Sequence, residues 1–223
     1  MRRFSELYQI AADRKGGAVA LEALLEPGVT PEALANIPDD RWLSAMAKCL
    51  FQAGFNWKVI DAKWDGFETA FDGFVPGRVA FYGDEDLERL LADAGIVRNG
   101  QKISAVIKNA VFLTDLAREH GTAARFFAEW PPQDQIGLQD LLTKRGGRLG
   151  GVTGQRVLRV MGKESFILTR DVVARLIAEG VVDKEPTSKT ALRAVQGAFN
   201  DWRSESGRSL SEISRVLALS VES

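Results

Sequence analysis

Apolar residues recur along this chain at intervals of three and four almost from end to end, whereas the strict alternation of a half-buried strand is scarce. The spacing predicts amphipathic helices over residues 4–12 and 19–25. Thr30-Pro31-Glu32 marks another start, with a capping hydroxyl, a proline at the first helical position and an acid near the positive helix end. Asp39 or Asp40 is placed to cap a helix running through Trp42, Met46 and Leu50 to Gly54. Asn56 caps the next, which carries Trp57, Ile60, Trp64, Phe67 and Phe71 along one stripe. Asp84-Glu85-Asp86 opens a helix that stops at Gly95, and Ile103, Val106, Ile107, Ala110 and Val111 begin one that ends at His120-Gly121. Beyond the loop Trp130-Pro131-Pro132, helices are expected over residues 136–144, 155–161, 169–179 and 187–206. Ser209 and Glu212 have capping-box spacing before the last one.

The expected fold class is therefore all-α, a single domain over residues 1–223 with short connections. Its N- and C-terminal helices pack together, and a hairpin-containing part spans about residues 84–180. Composition narrows the function classes. Apolar residues at 45% fill a sizeable core, yet no 18-residue apolar run is present, which argues against a membrane span. Net charge is −1, so any nucleic-acid contact has to come from a local basic patch. The single cysteine, Cys49, excludes an internal disulfide and fits a reducing compartment. Met1-Arg2-Arg3-Phe4-Ser5-Glu6 reaches an acid too early for a secretory signal, and the expected location is the bacterial cytoplasm and nucleoid.

The stretch Gln52-Ala53-Gly54-Phe55-Asn56-Trp57 ends one helix and restarts the chain on an aromatic pair. By spacing alone, Phe55, Trp57 and Trp64 read as core aromatics. In order and spacing, however, Gln52-Ala53-Gly54, Trp57, Phe71, Pro76, Val79-Ala80, the run Asp86 to Leu90, Asp93 to Arg98, Lys102-Ile103 and Asn109-Ala110 form a set. It resumes at Lys144-Arg145-Gly146 and continues through Gly151 and Thr153. This set resembles the 3-methyladenine DNA glycosylase I family, a branch of the helix-hairpin-helix DNA glycosylases. The resemblance implies a monofunctional enzyme that flips an alkylated, 3-methyladenine-like base out of duplex DNA and hydrolyses its N-glycosidic bond. It implies damaged double-stranded DNA as partner, no cofactor, no membrane and a monomer. A glycosylase-like module that binds DNA without cleaving it is the alternative.

The resemblance also assigns roles. Trp57 falls where the family stacks the extruded base, with Tyr8, Cys49 and Phe55 beside it. Cys49 stands where the family carries a glutamate that recognises alkylated adenine, and a thiol offers no carboxylate acceptor. A second family tyrosine becomes Ala11. The family's zinc site needs two cysteines and two histidines, but this chain has Cys49 and His120 alone, so no metal is expected.

Residues 144–156 resemble a helix-hairpin-helix, in which a glycine turn presents backbone N–H groups to DNA phosphate. Lys144, Arg145, Gly146, Arg148, Gly151, Thr153, Gly154 and Arg156 are its candidate DNA contacts. Read without the resemblance, the segment is a basic loop, and a nucleotide phosphate loop lacks its Gly-Lys-Ser/Thr ending. Asp171 falls where the wider superfamily carries a catalytic aspartate that offsets charge on the departing sugar. On its own, it reads as a first-turn acid of a helix capped by Thr169. Gln155 lies near the lysine of lyase-type relatives and cannot form a Schiff base, so hydrolysis without strand cleavage is expected.

Overall fold

The computed structural model describes residues 1–26 and 28–221. Among them are fifteen α-helices, two short 3-10 turns and no strand, which is the all-α class expected from the periodicity. None of these helices is long and apolar enough to cross a membrane. The chain divides into two compact units.

One unit comprises residues 1–29, 131–138 and 162–223. Its core joins Phe4 and Leu7 from the helix Phe4–Lys15, Val195, Phe199 and Trp202 from Lys189–Ser206, and Ile213 and Val216 from Leu210–Leu219. Phe166 stacks on Phe199 at 4.3 Å, and Trp202 meets Phe199 edge-on at 5.7 Å. Large aromatics of this kind bury roughly 150–250 Å² each and dominate a core.

The chain around Phe166 is extended with no neighbouring strand, so side chains satisfy its backbone. The Phe166 N–H donates to Gln135 Oε1 at 2.7 Å, and Gln135 Nε2 donates to the Phe166 carbonyl at 2.8 Å. Ser211 and Ser214 hydroxyls accept from the Ser165 and Ile167 N–H groups, each at 3.1 Å. Backbone groups buried away from water require such partners.

At one end of this unit, the Glu179 carboxylate is almost fully buried. It accepts from the Arg2 N–H and guanidinium and from Arg175, 3.2 Å away. Arg175 is itself buried and also donates to the Ser220 hydroxyl at 2.8 Å and to the Ser220 carbonyl.

The other unit comprises residues 30–130 and 139–161. The long helix Gly100–His120 runs through it, and Asp39–Gln52, Pro76–Val79 and Ala123–Glu129 pack on it. Trp42 stacks on Phe127 at 4.3 Å. Phe67, Phe71 and Phe74 form an adjoining stack.

Local caps follow the sequence: Thr30 accepts from the Ala33 N–H at 3.2 Å and Asn56 from the Lys58 N–H at 3.0 Å. Ser209 and Glu212 form the expected capping box. Asp39 departs from expectation. It does not cap its own helix, whose N-cap is Pro38; its carboxylate accepts from the Ala123 and Ala124 N–H groups at 3.0 and 2.9 Å. It therefore serves the N-terminus of a different helix, where a negative charge is favoured.

The stripe from Trp57 to Phe71 also departs from a single helix. It breaks into Trp57–Ala62 and Trp64–Ala70, with Lys63 at φ −101° between them. The second piece approaches the Gly95 turn so closely that a Cβ on Gly66 would lie 2.6 Å from the Gly95 carbonyl oxygen. Glu68 ties this piece down, accepting from Arg41 at 2.9 and 3.0 Å, from Ser44 at 2.7 Å and from the Trp64 indole at 3.2 Å.

Candidate nucleic-acid and base-binding site

The helix Asp39–Gln52 ends at Ala53, and Gly54 takes φ +69° to turn the chain outward. Phe55 and Trp57 follow, and both are exposed, at 45% and 43%. An exposed indole beside an exposed phenyl is unusual placement for core aromatics. Trp64, offered by sequence as a third flat face, is instead packed against Phe67 and Phe74 at 5.1 and 5.5 Å. It belongs to the scaffold.

Lys102 holds this corner. Its ammonium donates to the carbonyls of Phe51 and Ala53 at 3.1 and 2.8 Å, satisfying helix-end oxygens that lack intrahelical partners. Burial, and secondarily Arg148, push the Lys102 pKa down.

Cys49 lies inside the corner at 6% exposure. Burial pushes its thiol up, against the opposing pull of Arg156 and Lys48. It is therefore a neutral group at pH 7. The Arg156 guanidinium stacks on Trp57, its central carbon 3.8 Å from the ring centroid. Lys48 is paired with Asp61 at 3.0 Å.

The glycine turn rests against the helix Gly100–His120. A Cβ on Gly147 would lie 2.6 Å from the Ala105 carbonyl oxygen, so this contact admits no side chain. The buried Asn109 reads both backbone groups of Gly147: it accepts from the Gly147 N–H at 2.6 Å and donates to the Gly147 carbonyl at 3.2 Å. Asn109→Leu keeps the approximate volume but strands a buried N–H and C=O. It is expected to cost about 1–3 kcal/mol, seen as a lower urea midpoint at unchanged m-value.

The helix after the turn, Gly151–Val160, begins four residues before the expected Gln155. Gly150 is its N-cap, and no side chain caps its first N–H groups. Gly151 is exposed at φ +57°, and Arg148 also has a positive φ, +56°. These uncapped donors, at the positive end of a helix, suit an anion.

The surrounding cations differ in availability. Lys144 is paired with Asp140 at 2.6 Å, and Arg145 with Glu119 at 3.3 Å. Arg148 instead donates to Gln101 at 2.8 Å. Arg148 and Lys108 have no acidic partner among the described residues, and both line an open groove of about 510 Å³ with Gly100, Ser104 and Gly147. The groove is not legible in sequence, since Lys108 carries no motif. Gln155 is buried, donating to Gln139 at 3.1 Å.

Two sequence candidates lie in the other unit. The Tyr8 hydroxyl donates to Glu22 at 2.6 Å, and Arg208 sits 5.1 Å from its ring while pairing with Glu22 and Glu212. That hydrogen bond pushes the Tyr8 pKa up. Asp171 is half-buried in the first turn of Arg170–Ala178, with Thr169 accepting from the Val172 N–H as cap.

Residues 37–142 match the family model for methyladenine glycosylase. DNA-3-methyladenine glycosylase 1 of Escherichia coli (strain K12) is 44% identical over 59 residues, covering 26% of this chain and 32% of the relative. DNA-3-methyladenine glycosylase of Haemophilus influenzae is 30% identical over 59 residues, with the same coverages of 26% and 32%. The chain thus spans about a third of the length of the curated relatives it matches. Among solved structures, 3-methyladenine DNA glycosylase I from Staphylococcus aureus superposes with a TM-score of 0.51 at 23% identity, covering 56% of this chain and 77% of that one, which shows the shared helical fold. Through residues 37–142, the chain belongs to the methyladenine glycosylase family.

Proposed function

We propose that the protein is a monofunctional DNA glycosylase that hydrolyses the N-glycosidic bond of an alkylated base flipped out of duplex DNA. The observation that carries this reading is the exposed Trp57 face in the same unit as an uncapped glycine-turn helix and a basic groove. The two features answer two needs. Chemistry on a base requires its removal from the stack and a flat surface to receive it. Holding the extruded nucleotide requires a sequence-independent grip on phosphate, which backbone N–H groups and Arg148 supply.

In this reading, water adds its hydroxyl to C1′, the bond to the base breaks with its electron pair leaving on the base nitrogen, and the base ends with the proton. Phe55 and Cys49 border the base, and Asp171 is assigned the carboxylate that offsets charge on the sugar. Asp171 has no hydrogen-bond or ion-pair partner among the described residues, which leaves that carboxylate available. The substrate is damaged duplex DNA, met by a monomer in the cytoplasm.

The test is single-turnover base release from methylated duplex DNA, alongside binding at several salt concentrations. Release is expected without strand cleavage, falling at least about tenfold in Asp171→Asn with DNA affinity intact. Affinity should weaken steeply with salt. Binding without release of any base from a lesion panel would instead identify a DNA-binding module that has lost the chemistry.

A further inference from the structure

The Trp57 face carries a cation of its own. The Arg156 guanidinium lies at stacking distance over the indole, 3.8 Å to the centroid. No carboxylate pairs with it among the described residues, while the neighbouring Lys48 is neutralised by Asp61. The group buried beside it is the Cys49 thiol, influenced by Arg156 but carrying no negative charge to offset it. A cationic base brought onto this indole meets a like charge with no acid to balance it, and must displace a cation–π interaction already in place.

We propose that Arg156 is the specificity-determining residue of this site, favouring a neutral purine with two adjacent acceptors on its major-groove edge over a cationic alkylated base. This deepens the glycosylase reading and rests on it. A guanidinium stacked on a ring keeps its N–H donors in its own plane, pointing outward. A base lying in that plane presents its edge to the fork. Arginine reads O6 and N7 of guanine in this bidentate way. Hypoxanthine offers the same O6 and N7, and 1,N6-ethenoadenine offers N6 and N7.

The chemistry of departure points the same way. A cationic base leaves as a neutral molecule and needs little help. A neutral purine takes the electron pair of the C1′–N9 bond and becomes negative until solvent protonates it. Donors fixed on O6 and N7 stabilise that developing charge. Arg156 therefore assists the neutral leaving group and opposes the cationic one.

The test uses the full chain in single-turnover release from three duplexes, bearing hypoxanthine, 1,N6-ethenoadenine or 3-methyladenine. The wild-type protein is expected to release the neutral purines faster than 3-methyladenine. Arg156→Ala should lose roughly 5- to 150-fold on the neutral purines, the worth of one bidentate pair, without loss on 3-methyladenine. Arg156→Lys, which keeps the charge but not the fork, should also lose on the neutral purines while 3-methyladenine stays slow. Faster release of 3-methyladenine by the wild type, with a ratio unmoved in Arg156→Ala, overturns the inference and leaves the glycosylase reading standing. Release of no base from any duplex overturns both.

Discussion

Trp57→Ala is expected to slow base release by roughly 5- to 150-fold, corresponding to about 1–3 kcal/mol of base stacking. The change should leave the fold nearly untouched. Trp57 is 43% exposed, and within the protein the substitution removes its stack with Arg156. An exposed cation–π interaction is worth about 0.5–1 kcal/mol, so thermal unfolding should shift by a few degrees at most. The diagnostic is the separation of the two readouts. A fall in melting temperature that tracks the fall in release would place Trp57 in the scaffold, with Trp64. Trp57→Phe should recover part of the rate, because a smaller flat face remains.

Glu179→Ala is expected to be the most damaging single substitution for stability, costing about 3 kcal/mol in urea unfolding. The reason lies in what is left behind. Arg175 is buried and is left without the carboxylate that pairs with it, whereas Arg2 is half exposed and can turn to water. The cost sits at the low end of the range for a broken buried pair because Ser220 still accepts from Arg175. The same group sets a pH dependence. Burial pushes the Glu179 carboxyl up, but hydrogen bonds from Arg2 and Arg175 outweigh it and hold it below the usual carboxylate range. A depressed carboxylate stabilises the fold above its unfolded pKa, and that contribution is lost as pH falls through the folded value. Acid should therefore erode stability in the wild type, and Glu179→Ala should flatten that slope without altering the neutral-to-basic limb.

Much of the fold is legible because helices are written locally. Asn56, Thr30, Thr169 and the Ser209–Glu212 pair cap N–H groups two or three residues away, within reach of sequence reading. Asp39 escapes such a reading because its partners, Ala123 and Ala124, lie 84 and 85 residues further along the chain. The break at Lys63 is hidden for a related reason. No proline or glycine occupies that position, and the kink accompanies the close approach of Gly66 to Gly95.

The site is legible in residue types and less so in their states. The exposure of Trp57 and Phe55 follows from the outward turn at Gly54, where the glycine is visible in sequence but its direction is not. In sequence, Arg156 is one more cation around the glycine turn. It lies on the inner side of a helix that starts at Gly151, and only packing against the helix Asp39–Gln52 brings it over the indole. Lys144 and Arg145 read as free charge, yet acids from the helix Gln135–Arg145 and from Gly100–His120 neutralise them. Charge in a sequence gives the sign of a patch; ion pairing decides how much of it faces solvent.

Lys102 fixes the end of the base-face segment, and Asn109 fixes the glycine turn, and both belong to the helix Gly100–His120. Seven residues separate them, two helical turns and about 10.5 Å along the axis, on one side of the rod. The helix is consequently a spacer of fixed length between the surface that receives a base and the loop suited to its backbone. Inserting one residue between Lys102 and Asn109 would rotate one hold by about 100° relative to the other. Recognition in this unit is thus a matter of register as much as of chemistry.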